Sequence, residues 1–159
     1  MTYYGSKDLA RSFRQVRSNT LQIANEIPEE KYGFNASPET RTIGQTLAHI
    51  ALAPRVQTHV HKNRFTDAAI VPWGEIIMGV AAEETKPRTK AEVIALLNSE
   101  GESFASYLES LSDAFLAEPV TMPPSLQPAA KTRFEMLMSP KEHEMHHRGQ
   151  LMMHLVFFR

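Results

Sequence analysis

The apolar side of residues 6–27 runs through Leu9, Phe13, Val16, Thr20, Ile23 and Ile27, with spacings of 4, 3, 4, 3 and 4. That rhythm puts all six on one stripe of an α-helix, the seam along which a helix packs in a bundle. Ser6 can cap the start, and Pro28 ends the helix because it has no N–H to donate. Residues 29–40 read as a polar connection containing Pro38. Thr42 and Gln45 form a capping box, opening a second helix through Ile43, Leu47, Ile50 and Ala51. Pro54 is expected to kink or end it.

Residues 64–88 form a long crossing, broken by Pro72-Trp73-Gly74 and Lys86-Pro87, with one short helix over 75–80. A third capping box, Thr89 with Glu92, opens a helix through Val93, Leu96, Leu97, Phe104, Tyr107, Leu108, Leu111 and Phe115. Gly101 inside it costs about 1 kcal/mol relative to alanine. Residues 118–128 carry four prolines and read as irregular. A fourth helix is predicted in two parts. Thr132 and Glu135 open a turn over 134–138, and Ser139, Pro140 and Glu142 supply a second start. Period-two alternation is nearly absent, as are Asn-Gly and Asp-Gly hairpin turns. The pattern predicts an all-α protein, a four-helix bundle with long crossover connections, as one domain over residues 1–159.

Composition narrows the choice of chemistry. There are no cysteines, which excludes disulfides, thiolate ligands and a cysteine nucleophile. Seventeen basic residues against 18 acidic give a net charge of −1, so nothing calls for nucleic acid or an anionic membrane as partner. No apolar run approaches a membrane span, and the first residues lack a signal-peptide core; a cytoplasmic location is expected. The Asn35-Ala36-Ser37 sequon is then a chance match.

The stretch richest in chemistry is Glu142-His143-Glu144-Met145-His146-His147-Arg148-Gly149-Gln150-Leu151. On a helix His143, His147, Gln150 and His154 stack on one face, and imidazoles at i and i+4 can grip one metal ion. Three readings compete. The histidines are ordinary polar residues of a half-exposed helix. Or His143-Glu144-Met145-His146-His147 is the His-Glu-x-x-His of zinc peptidases, with Glu144 as general base. The longer peptidase motif would need glycine at 150 and histidine at 153, where Gln150 and Met153 stand. Or a ligand comes from another helix. A di-iron bundle would need a second Glu-x-x-His beside Glu144 and His147, and there is none. A mononuclear site needs one more histidine. His49, on the flank of the second helix's apolar stripe, is the best placed; His59 and His61, beyond Pro54, are expected to be solvated. Glu142 or Glu144 could orient an imidazole from outside the ligand set.

Thr42-Ile43-Gly44-Gln45-Thr46-Leu47-Ala48-His49-Ile50, followed far downstream by the His143 to Gln150 segment, resembles the DinB superfamily of compact four-helix bundles. The resemblance covers most of the chain. It implies that His49, His143 and His147 are the metal ligands, with His146 off the metal face and Arg148 and Gln150 as motif companions. It implies a divalent ion, Zn²⁺ foremost and Ni²⁺ or Fe²⁺ as alternatives. The implied activity is a metal-dependent enzyme that activates a low-molecular-weight thiol cosubstrate for transfer to an electrophile. A metal-dependent hydrolase, or a non-catalytic metal- or small-ligand-binding stress-response protein, stands as the alternative. A homodimer is expected too, from the resemblance and from the apolar residues Leu151, Met152, Met153, Leu155, Val156, Phe157 and Phe158.

Overall fold

A computed structural model describes residues 4–157, with the side chains of the last helix described as far as Met153. Four long segments build a bundle: α1 (Ser6–Glu26), α2 (Ile43–Leu52) continued by α3 (Pro54–Lys62), α5 (Lys90–Glu109) and α7 (Arg133–Phe157). Between them lie α4 (Trp73–Glu84), α6 (Asp113–Ala117) and the short strands β1 (Pro119–Thr121) and β2 (Ala130–Thr132). Helix α1 packs on α5 and α7, α2 packs on the same two, and α4 lies outside against α2 and α3.

Two core clusters show how the helices run. One joins Ala24 and Ile27, at the end of α1, to Ile43 and Leu47 of α2, Val93 and Leu97 of α5, and Leu151 late in α7. The other joins Leu9 and Phe13 to Phe104, Leu108 and Leu137. Helices α1 and α7 therefore run one way and α2 and α5 the other, an up-down-down-up order. Two parallel neighbours in succession, α2 and α5, need a connection that travels back along the molecule. The crossing that carries α4 supplies it.

Between the clusters sits a charged pair in the core. Arg17 is 4 % exposed and Glu144 1 %. Arg17 Nε and Nη2 donate to the Glu144 carboxylate at 2.9–3.1 Å, Nη1 donates to the Leu97 carbonyl at 2.6 Å, and Nη2 to the Ile50 carbonyl at 3.1 Å. One side chain of α1 thus touches each of the other three bundle helices. Pro54 explains one of these contacts. It has no N–H for the Ile50 carbonyl, its partner four residues back, and the guanidinium takes that place. Gly101 explains another, since a Cβ there would stand 2.9 Å from Arg17 Cγ and Nη1. The glycine that weakens α5 locally is the space Arg17 occupies.

Several expectations change. Of the two outcomes expected at Pro54 the second holds, since α2 ends at Leu52, and the addition is that Pro54 takes the first position of a new helix, α3. The short helix over 75–80 is longer, Trp73–Glu84. The third helix stops at Glu109, and Phe115 sits on α6, capped by Ser112. The fourth helix is one element: Thr132 and Glu135 exchange the capping bonds, and Ser139, Pro140 and Glu142 lie inside it. Pro140 removes one helix hydrogen bond, while turns on both sides continue to pack. The irregular stretch 118–128 contributes β1, which pairs antiparallel with β2 just beyond it, Pro119↔Thr132 to Thr121↔Ala130, strands too short to show alternation. Val120 buries its side chain with Val60, Ala68, Val71 and Met136. At the C-terminal run Leu151 is buried and Met152 and Met153 are exposed; residues 154–158 lie outside the described side chains. No helix among the described residues is long and apolar enough to cross a membrane.

Candidate metal centre

The reciprocal Thr42–Gln45 bonds fix the start of α2, at 2.9 and 3.1 Å, and so set the direction of His49 two turns on. Helix α7 presents His143 and His147 to the same point. His143 Nε2 lies 3.2 Å from His49 Nε2 and 3.1 Å from His147 Nε2, and the three ligand atoms all fall within 4.8 Å of one another. Four tetrahedral ligands about 2.0–2.1 Å from one Zn²⁺ stand about 3.3 Å apart. The two separations from His143 Nε2 are close to that.

The outer nitrogens are held in turn. His49 Nδ1 meets Glu84 Oε1 at 2.5 Å, and the other Glu84 oxygen accepts from Arg41 Nε and Nη2 at 3.3 Å. His147 Nδ1 meets Gln150 Oε1 at 2.8 Å, and Gln150 Nε2 meets His146 Nε2 at 3.2 Å. With Nδ1–H donated to a carboxylate in His49 and to an amide oxygen in His147, the Nε2 lone pairs of these two rings are left facing His143 Nε2. Two lone pairs then converge beside a third ring nitrogen, the arrangement in which a cation takes three imidazole donors. The donor set therefore fits a divalent metal.

Protonation points the same way. Burial, aided by His147, His49, His146 and Arg41, pushes His143 down to about 4. Burial also lowers His147, against the Gln150 hydrogen bond that favours its charged form. Both rings are neutral at pH 7, as a ligand must be.

Other residues fall elsewhere. Glu144 is turned into the core by Arg17 and touches no triad histidine, and Glu142 is exposed. The role of orienting an imidazole belongs instead to Glu84, which no motif announced, and to Gln150. The geometry removes Glu144 as a peptidase-type base, since its oxygens face α1. His146 sits beside His147, with ring centroids 5.1 Å apart, outside the triad. His154 lies outside the described side chains. His59 is exposed, but His61 is 1 % exposed rather than solvated, because α3 turns it into the fold beside Arg133. Arg133 Nη1 donates to its Nδ1 at 3.1 Å, a pairing separate from the triad.

That burial makes His61 an acid-sensitive point of the fold. Desolvation, then the Arg133 charge, pushes it down to about 4 from 6.5. Between those values the unfolded chain takes up a proton that the folded chain refuses. Its contribution to stability is complete above pH 6.5 and is lost as pH falls through about 4. By pH 5 the loss should be on the order of 2 kcal/mol. Urea unfolding at pH 7 and pH 5 should show a smaller drop in His61→Gln, which keeps an acceptor for Arg133. Equal drops would show that His61 does not titrate in this way.

Comparison with known proteins places the chain among similar bundles. A family model described as the DinB superfamily matches residues 12–151. A DinB-like protein of Bacillus cereus is 16 % identical, with a TM-score of 0.71 over 96 % of this chain and 91 % of its own. A DinB-like protein of Bacillus subtilis, YjoA, is 18 % identical, with a TM-score of 0.67 over 94 % and 91 %. YfiT of Bacillus subtilis, described as a probable metal-dependent hydrolase with an unusual four-helix bundle topology, is 15 % identical, with a TM-score of 0.66 over 92 % and 83 %. No curated protein matches the sequence.

Proposed function

Since the chain belongs to the DinB superfamily, we propose that it is a metal-dependent enzyme in which His49, His143 and His147 hold a divalent ion, Zn²⁺ foremost, and a small external thiol is transferred to an electrophile. The observation that carries this is the convergence of three Nε2 atoms from two helices, with Glu84 and Gln150 fixing the tautomers of His49 and His147. Bound there, the ion supplies a Lewis acid with a position left for an exogenous ligand, whose pKa it lowers. Three neutral imidazoles cancel none of its charge, as anionic ligands would. The chain has no cysteine of its own and Glu144 is committed to Arg17, so neither a protein thiolate nor that carboxylate takes part. The thiol sulfur would displace a leaving group such as chloride, and the thiol proton would pass to solvent.

Hydrolysis is the second reading, favoured by the description of the similar YfiT fold. One assay separates the two. Chelation should abolish activity, and added Zn²⁺ should restore it. Conjugation of a chloro-nitroarene to a cellular thiol should then outrun its hydrolysis. Activity that survives complete metal removal overturns both readings, and metal-dependent hydrolysis without thiol transfer leaves only the second.

A further inference from the structure

Beside the histidine triad lies a cleft of about 290 Å³ between the α2–α3 junction, α4 and the middle of α7. His49 and His143 form one side of it. The rest is largely apolar: Ala53 and Val56 from the junction, Ile77, Val80 and Ala81 from α4, and Pro140 from α7. Trp73, by contrast, is packed in the third core cluster and does not contribute.

We infer that this cleft is the binding site for the acceptor substrate, and that it selects a compact, uncharged, apolar or aromatic molecule, preferring one that also carries a hydrogen-bond donor. Four observations support this. The volume lies at the small end of ligand pockets, enough for about a dozen non-hydrogen atoms. The charged side chains at its edge, Arg41 and Glu84, are paired at 3.3 Å and leave no free charge to recruit an ion. Gln57 lines the cleft, and its amide oxygen is buried without a hydrogen-bond partner, a loss that an N–H or O–H of the ligand would repair. Pro140 stands inside a 25-residue helix, where proline costs about 3 kcal/mol, and it stands on the cleft wall one turn before His143. A local rule broken at that cost, next to a metal-ligand candidate, is the kind of departure that marks a functional position. A hydroxyl-rich thiol would find few polar partners here, so in the thiol-transfer reading the cleft holds the electrophile. The assignment rests on the metal reading above and adds the substrate class to it.

Hydroxamates test the two levels separately, because the hydroxamate group chelates the ion whatever its substituent. On the Zn²⁺-loaded protein, calorimetry should find benzohydroxamate binding about tenfold or more tighter than acetohydroxamate, from burial of the ring. Ala81→Trp, an exposed position on α4, should collapse that ratio toward one by filling the cleft. Circular dichroism checks that the variant keeps its helices. Equal affinities in the parent protein, or a ratio unchanged by Ala81→Trp, overturn the cleft assignment and leave the metal centre standing. A protein that retains no Zn²⁺ and binds neither hydroxamate overturns both.

Discussion

Arg17→Ala is expected to destabilise the fold by about 3–5 kcal/mol, the usual cost of breaking a buried ion pair by removing one partner. The loss is not the attraction alone. Glu144, 1 % exposed, would stay behind without its guanidinium, and the Ile50 carbonyl would lose the donor that stands in for the N–H missing at Pro54. Set against a typical domain stability of about 5–15 kcal/mol, this is a large share. The paired change Arg17→Met with Glu144→Leu should recover the part due to the stranded carboxylate, because neither charge then remains at that point of the core, while the Ile50 and Leu97 carbonyls still lack their donor. Urea unfolding of the parent, Arg17→Met, Glu144→Leu and the double variant gives the coupling energy directly. A cost below about 1 kcal/mol for Arg17→Ala would contradict the burial of the pair. Whatever that cost proves to be, it should not depend on metal.

The second large effect is on metal retention. His143 is the middle member of the triad, touching both other rings, so His143→Ala should remove nearly all bound ion while leaving helical circular dichroism intact. The expected loss exceeds the roughly 10–100-fold in affinity that follows from losing an outer partner of a ligand. Glu84→Gln tests that weaker class. It keeps the shape and an acceptor, but gives up the carboxylate on His49 Nδ1, and should cost about tenfold. His49→Ala should behave as His143→Ala does. Competition against a chromophoric chelator, with elemental analysis of the purified variants, measures all three. Metal bound to His143→Ala with the parent's stoichiometry and affinity would mean that the ion sits somewhere else.

Much of this architecture could be read in advance, because it is written in periodicity and caps. The seam from Leu9 to Ile27 and the boxes at Thr42 and Thr89 are local signals; α2 and α5 begin at those boxes, while α1 begins one residue earlier than a Ser6 cap would have it, with Gly5 at the cap. The false start at Ser139 shows the limit of such signals. A capping box is only an option for the backbone, and Thr132 takes the role first because the β2 strand delivers the chain there. His143 and His147 were legible from their spacing. Glu84 was not: it lies in a crossing with weak periodicity, 35 residues from His49, and only the packing of α4 on α2 brings them together. Arg17 was not legible either: it lies on the flank of the α1 stripe, and only the glycine facing it on α5 makes room for it in the core.

His49 and His143 are separated by 94 residues of chain. A ribosome adding about 5–20 residues per second delivers the second roughly 5–20 s after the first. Throughout that interval α2 can fold and meet α5, but it offers an ion a single imidazole. On the proposed triad, capture of an ion would therefore follow completion of the bundle and would not guide the earlier helices into place. The loaded fraction in a cell would then report how much metal is available to finished molecules, and starvation for the ion would leave a pool of intact apoprotein ready to be filled.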